Sequence, residues 1–163
     1  MNQTHIHLLI THLPIFGSIL GAFVLGYGMW TSSNTTKMAA YYLLAISSIS
    51  AGISYLTGEG AEEAVEDIPG VVENIIKKHE AFAMFALISL IILGAASLLA
   101  LYLTYKNSTW SKLISTGTLL VSIISFGLVA RTGYLGGQIR HTEISTANVQ
   151  KIEGAQKEGK DDD

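Results

Sequence analysis

Apolar and polar residues along this chain fall into long blocks, not into the short alternations of a soluble domain. Four apolar blocks stand out, at residues 8–30, 38–57, 81–105 and 111–137. The first three contain no Asp, Glu, Lys or Arg; the fourth has Lys112 at its start and Arg131 near its end. A hydrocarbon core about 30 Å thick takes about 20 apolar residues of helix to cross. Each block is long enough, and none keeps the polar stripe that a soluble helix shows to water. The pattern predicts an all-α chain: an integral membrane, antiparallel four-helix bundle spanning residues 1–141.

Pro14 lies inside the first block. A proline removes one intrahelical hydrogen bond and favours the first helical turn. A helix beginning at Pro14 would be short for a crossing, at 1.5 Å per residue. The expectation is therefore one helix from about Leu8, kinked at Pro14, with the carbonyl of Ile10 satisfied by neighbours. Small residues mark faces for close packing. Gly17 and Gly21 form a GxxxG pair, followed by Gly26 and Gly28; the second and fourth blocks are rich in serine.

Two connections are short and polar, residues 31–37 and 106–110, as expected between antiparallel neighbours. The middle one, residues 58–78, carries Glu59, Glu62, Glu63, Glu66 and Asp67 on one side and Val and Ile on the other. Pro69 and Gly70 divide it. It is expected to form two short amphipathic helices, the second running into the third block, as an interfacial cap over the helix ends. Residues 142–163 form a polar tail ending in three aspartates, a composition that favours disorder.

Composition narrows the chemistry. The chain has 163 residues, 49% hydrophobic and only 14% charged, with net charge −3. No basic patch suggests nucleic acid as a partner. There is no cysteine, which removes disulfides, thiolate metal sites, iron–sulfur clusters and covalently attached haem. No nucleophile elbow appears, and the serines sit on packing faces, so a stand-alone hydrolase is not expected. The N-terminus has no basic residue before Lys37 and so does not read as a cleaved signal peptide. Lys37, Lys106 and Lys112 lie at the short connections. Basic residues favour the cytoplasmic side. Lys77, Lys78, Arg140 and Lys151 pull the other way. The first helix usually dominates, which places both termini on the outer side of the membrane.

Four crossings have a chemical consequence. His5, His7 and His12 begin the first block, His79 precedes the third and His141 follows the fourth. All five histidines then share one membrane face, whichever way the chain is inserted. Ionisable groups near a membrane are costly and usually mark function. Three readings are open: wetted interfacial residues, axial ligands of haem, or a copper or zinc site. A di-iron carboxylate site drops out, because Glu-x-x-His pairs are missing: Ile76 and Gln138 stand three residues before His79 and His141. His7 and His12 are five residues apart, about 140° around a regular helix, so they do not readily bind one ion together. Arg131 needs a partner such as Glu59 or Glu62, or serves a haem propionate; Gly133, Gly136 and Gly137 let a flat ligand or a neighbouring helix approach.

The opening His7-Leu8-Leu9-Ile10-Thr11-His12-Leu13-Pro14-Ile15 resembles that of a family of small bacterial inner-membrane proteins, classed as a domain of unknown function. Thr57-Gly58-Glu59-Gly60-Ala61-Glu62-Glu63 and His79-Glu80 resemble the family's middle segment, and Gly136-Gly137 followed by His141 its end. The likeness covers all but the tail; Gly60 departs from it, standing where many relatives have proline. It implies a four-helix membrane fold and haem b, with His7, His12, His79 and His141 as the positions to watch. Geometry and resemblance together lead to one expectation: a b-type haem protein that passes electrons at the outer face, to a quinone or a soluble carrier. His12 and His79 are the first candidates for an axial pair, His7 and His141 for a second, with Arg131 on a propionate. The alternative is a copper or zinc site, or a cofactor-free structural subunit of a larger respiratory membrane complex.

Overall fold

The computed structural model describes residues 3–66 and 73–140. His141, the tail, and the Pro69-Gly70 break with its flanking residues lie outside the described residues. Every element among the described residues is an α-helix: α1 (Gln3–Ile10), α2 (His12–Trp30), α3 (Asn34–Leu56), α4 (Gly58–Glu66), α5 (Glu73–Tyr105) and α6 (Ser111–Arg140). Four stretches are long and apolar enough to cross a membrane: Thr4–Trp30, Asn34–Leu56, Glu73–Tyr105 and Ser111–Ile139.

The first stretch is interrupted where proline chemistry requires it. Pro14 has no amide hydrogen to offer the carbonyl of Ile10, and the helix breaks between Ile10 and His12. Thr11 keeps helical dihedrals (φ −60°, ψ −22°), and its amide donates to the carbonyl of His7 at 3.0 Å. The break is therefore a kink and not a loop. The carbonyl of Pro14 accepts from Ser18 Oγ at 2.7 Å and from Ser47 Oγ of α3 at 3.2 Å, which ties the kinked turn to its neighbour.

α3 begins at Asn34, four residues before its apolar block. Ser33 explains the gain. Its hydroxyl accepts from the amide of Thr36 at 3.3 Å, satisfying one orphan donor of the first turn. α5 begins at Glu73, well before Ala81, so the second half of the middle connection runs directly into the third long helix, as expected. α4 packs on α1 and α3, and Thr4 Oγ1 donates to the carbonyl of Gly60 at 3.1 Å. α6 continues to Arg140, past the paired glycines.

The long helices close a ring of contacts: α2 on α3, α3 on α5, α5 on α6 and α6 on α2. Leu25, Tyr41, Leu44, Leu90 and Leu93 form its buried centre. The α2–α3 contact is the closest to read. A Cβ at Gly17 would lie 2.9 Å from Ser47 Cβ, one at Gly21 2.5 Å from Leu44 Cδ2, and one at Gly28 2.8 Å from the amide nitrogen of Lys37. The GxxxG expectation holds for Gly17 and Gly21, and Gly28 extends it. Gly26 does not belong to it; a Cβ there meets nothing within 4 Å.

Polarity is inverted relative to a water-soluble protein. Ser18, Ser47, Ser50, Ser97, Ser122 and Ser125 are buried, while Phe16, Phe23, Ile49, Ile91 and Ile124 are exposed. Exposed Tyr27, Trp30, Tyr105 and Trp110 surround the end with the short connections; Tyr55 and Tyr134 lie on the surface near the other end. Tyr and Trp favour the headgroup level of a bilayer.

Candidate functional site

The end of the helices opposite the short connections holds the histidines. His7 extends from α1 to the last turn of α3, where its Nδ1 lies 2.9 Å from the carbonyl oxygen of Ser54. His79 extends from α5 to α6, where its Nδ1 lies 2.9 Å from the carbonyl oxygen of Thr132. A carbonyl oxygen only accepts, so in both rings Nδ1 carries the proton. In the neutral imidazole that leaves Nε2 with its lone pair. This is the tautomer a metal-ligating histidine needs, with the second nitrogen held by a backbone carbonyl.

Both rings reach their carbonyls in the same way. One helical turn beyond Ser54 stands Gly58; one turn beyond Thr132 stands Gly136. Residues four apart lie above one another on a helix face, so a side chain at either position would stand over the carbonyl below it. A Cβ at Gly136 would lie 3.1 Å from His79 Cε1, and one at Gly58 would lie 3.7 Å from His7 Cε1. A Ser or Thr carbonyl thus seats each ring, one on α3 and one on α6; a Cβ at Gly136 would crowd the His79 ring, whereas one at Gly58 would only touch that of His7. The two seated rings are those of His7 and His79. Both are partly buried, as interfacial groups that must hold a fixed direction need to be.

The remaining sequence candidates fall elsewhere. His12 is exposed and turns back on its own chain, its Nδ1 donating to the carbonyl of Leu8 at 3.0 Å. His7, and not His12, is the N-terminal ring that reaches across to α3. The two N-terminal rings diverge because they sit on either side of the kink and, by spacing, on different helix faces. His5 is also exposed. His141 lies outside the described residues. Arg131 is exposed, and its guanidinium lies over the rings of Phe82 and Tyr134, 5.7 Å and 5.4 Å from their centroids. Among the described residues its guanidinium thus meets aromatic faces and makes no ion pair with Glu59. Arg131 directly precedes Thr132, so it stands at the rim of the His79 seat. Of the three late glycines, Gly133 packs against Ile15, Gly136 against His79, and Gly137 meets nothing within 4 Å.

Donor chemistry separates the open readings. Among the described residues, no three His, Asp or Glu side chains gather closely enough to hold a metal ion. A structural zinc site takes four protein ligands and a catalytic one three. Haem iron asks the protein only for axial ligands, because the porphyrin supplies the rest. Among the described residues, two carbonyl-held imidazoles, His7 and His79, match the number of axial ligands that a haem iron takes.

Sequence reasoning found the histidines but missed their seats. A backbone carbonyl leaves no mark in a sequence. The signal that was present is the repeated pattern Ser54-x-x-x-Gly58 and Thr132-x-x-x-Gly136, each beside a histidine-bearing helix. No protein-family model matches this chain, nor does any curated protein or solved structure.

Proposed function

We propose that this chain is a multi-pass membrane protein, an antiparallel four-helix bundle that binds haem b at its histidine end and carries electrons there. The exposed apolar girdle, the surface Tyr and Trp near both ends and the buried serines support the bundle in lipid. The observation that carries the haem reading is the matched pair of seats. Two imidazoles from separate helices, α1 and α5, are each fixed by Nδ1 to a carbonyl and each keep Nε2 for iron. Absence of cysteine fits a haem held without covalent attachment.

Bound there, haem would supply a one-electron couple. The chain's own part is to orient. The Ser54 and Thr132 carbonyls fix the tautomer and plane of each ring; Gly136 keeps the space the His79 ring occupies. Arg131, at the rim, is the cation available to a propionate, since guanidinium matches a carboxylate in two hydrogen bonds. Lys37, Lys106 and Lys112 at the opposite end support a periplasmic position for the histidine end, in a bacterial cytoplasmic membrane. Electron exchange would then be with a membrane quinone or a periplasmic carrier.

The test is a reduced-minus-oxidised spectrum of protein purified from membranes in mild detergent, with haem supplied during expression. The proposal expects an α-band that is lost in His7→Ala and in His79→Ala and kept in His12→Ala. A haem-replete preparation with no α-band rejects it and favours a cofactor-free subunit of a larger complex. A band that survives His79→Ala rejects the ligand assignment.

A further inference from the structure

The opposite end of the molecule has its own construction. The two short connections repeat one design. Ser32 and Asn107 adopt left-handed backbone (φ 54° and φ 50°), and each is followed by a serine. The amide of Ser33 donates to the carbonyl of Gly28 at 2.9 Å, and that of Ser108 to the carbonyl of Leu103 at 2.9 Å. These are the long-range closures of two Schellman-type helix ends, built without glycine at the left-handed position. Asn34 Nδ2 donates to Asn107 Oδ1 at 3.2 Å and links the two connections.

Between them lies a cavity of about 350 Å³. Lys37, Lys112, Asn34, Asn107, Ser111 and Ser115 line it, and no acidic side chain does. Residues 1–58 and 81–142 contain no Asp or Glu at all, so nothing acidic in either hairpin offsets the two ammonium groups. α3 starts at Asn34 and α6 at Ser111, both on the wall of this cavity. The N-terminal ends of both helices therefore lie beside the space that already holds two lysines, and a helix N-terminus favours negative charge. The backbone of Lys37 packs closely on Gly28. Trp30 and Trp110, both exposed, flank the same end.

From this cavity we propose an anion site for a phosphate group, filled by the headgroup of an anionic phospholipid. The chemistry is two cations, two helix N-termini, amide and hydroxyl donors, and no competing carboxylate. The depth is right for a headgroup, because the cavity opens at the level of the exposed Tyr and Trp side chains. The lipid source rests on the membrane reading above; the phosphate chemistry does not rest on haem, since the two sites lie at opposite ends.

Both tryptophans of the chain lie beside this cavity, so their fluorescence reports on it. Purified protein in neutral detergent is titrated with short-chain phosphatidylglycerol, with short-chain phosphatidylcholine and with inorganic phosphate. A saturable change with phosphatidylglycerol is expected, weakened about tenfold or more in Lys37→Gln/Lys112→Gln and within about twofold of wild type in Lys106→Gln, a nearby exposed lysine that does not line the cavity. Inorganic phosphate that saturates the same change as tightly as the lipid assigns the site to free phosphate, the same chemistry from another source. Equal response to phosphatidylglycerol and phosphatidylcholine, or a double variant that titrates like wild type, overturns the proposal. Recovery of the chain in the membrane fraction is scored separately, so a soluble chain sinks the membrane reading and not the anion chemistry.

Discussion

Two glycines two residues apart on α2 should respond oppositely to the same substitution. Gly28 faces the start of α3. A methyl group there would lie 2.8 Å from the amide nitrogen of Lys37 and 3.2 Å from the carbonyl carbon of Thr36, whereas ordinary contact begins near 3.4 Å. The shortfall of about 0.6 Å is against backbone, which has no rotamer to change, so the two helices must part. Gly28→Ala should therefore cost about 1–3 kcal/mol, the usual range for overpacking. That corresponds to roughly a 5- to 150-fold loss in the folded-to-unfolded ratio. Gly26→Ala meets nothing within 4 Å, so it should gain about 0.4–1 kcal/mol from reduced backbone freedom in the unfolded chain. The measurement is equilibrium unfolding in mixed micelles, followed by tryptophan fluorescence, for both variants side by side. Equal effects of the two substitutions, or a stabilised Gly28→Ala, would refute the claim that α2 and α3 meet backbone to backbone at this turn.

Other consequences follow from single contacts. Tyr41 is buried, and its hydroxyl lies 2.6 Å from Ser115 Oγ, linking α3 to α6; Tyr41→Phe should cost about 0.6–1.7 kcal/mol in the same unfolding assay, the measured span for such bonds in lipid. Gly136→Ala puts a methyl carbon 3.1 Å from His79 Cε1 and should displace that ring from the Thr132 carbonyl. The expected sign is haem lost on gel filtration while the unfolding midpoint stays within a few degrees; Gly137→Ala, which meets nothing, should keep its haem.

The four long helices were legible because three of the blocks carry no charge and the fourth only Lys112 and Arg131. The kink was legible because proline cannot donate. Helix ends were read less well. α3 starts early because Ser33 caps it, whereas the run of the middle connection into α5 from Glu73 was expected from its amphipathic pattern. That His5, His7, His12 and His79 lie at one end was legible from the number of long helices. Which N-terminal ring reaches α3 was not. His7 and His12 differ by a rotation that sequence spacing gives only in relative terms, and the choice depends on which helix face meets α3. The seats at Ser54 and Thr132 use backbone oxygens, so only Gly58 and Gly136 mark them, and glycine has many other reasons to be there. Arg131 shows the same limit. Its need for company was visible, but aromatic faces supplied by Phe82 and Tyr134 served where a carboxylate was expected.

The account depends on the chain threading the bilayer so that α1 and α5 deliver their imidazoles to one side. The absence of native cysteine makes His5→Cys, Glu80→Cys and Lys106→Cys single-thiol proteins, each at an exposed position. With an impermeant maleimide on intact cells and on inverted vesicles, residues 5 and 80 should label from the same side and residue 106 from the other. Labelling of 5 and 80 from opposite sides, or of all three from one, would contradict it.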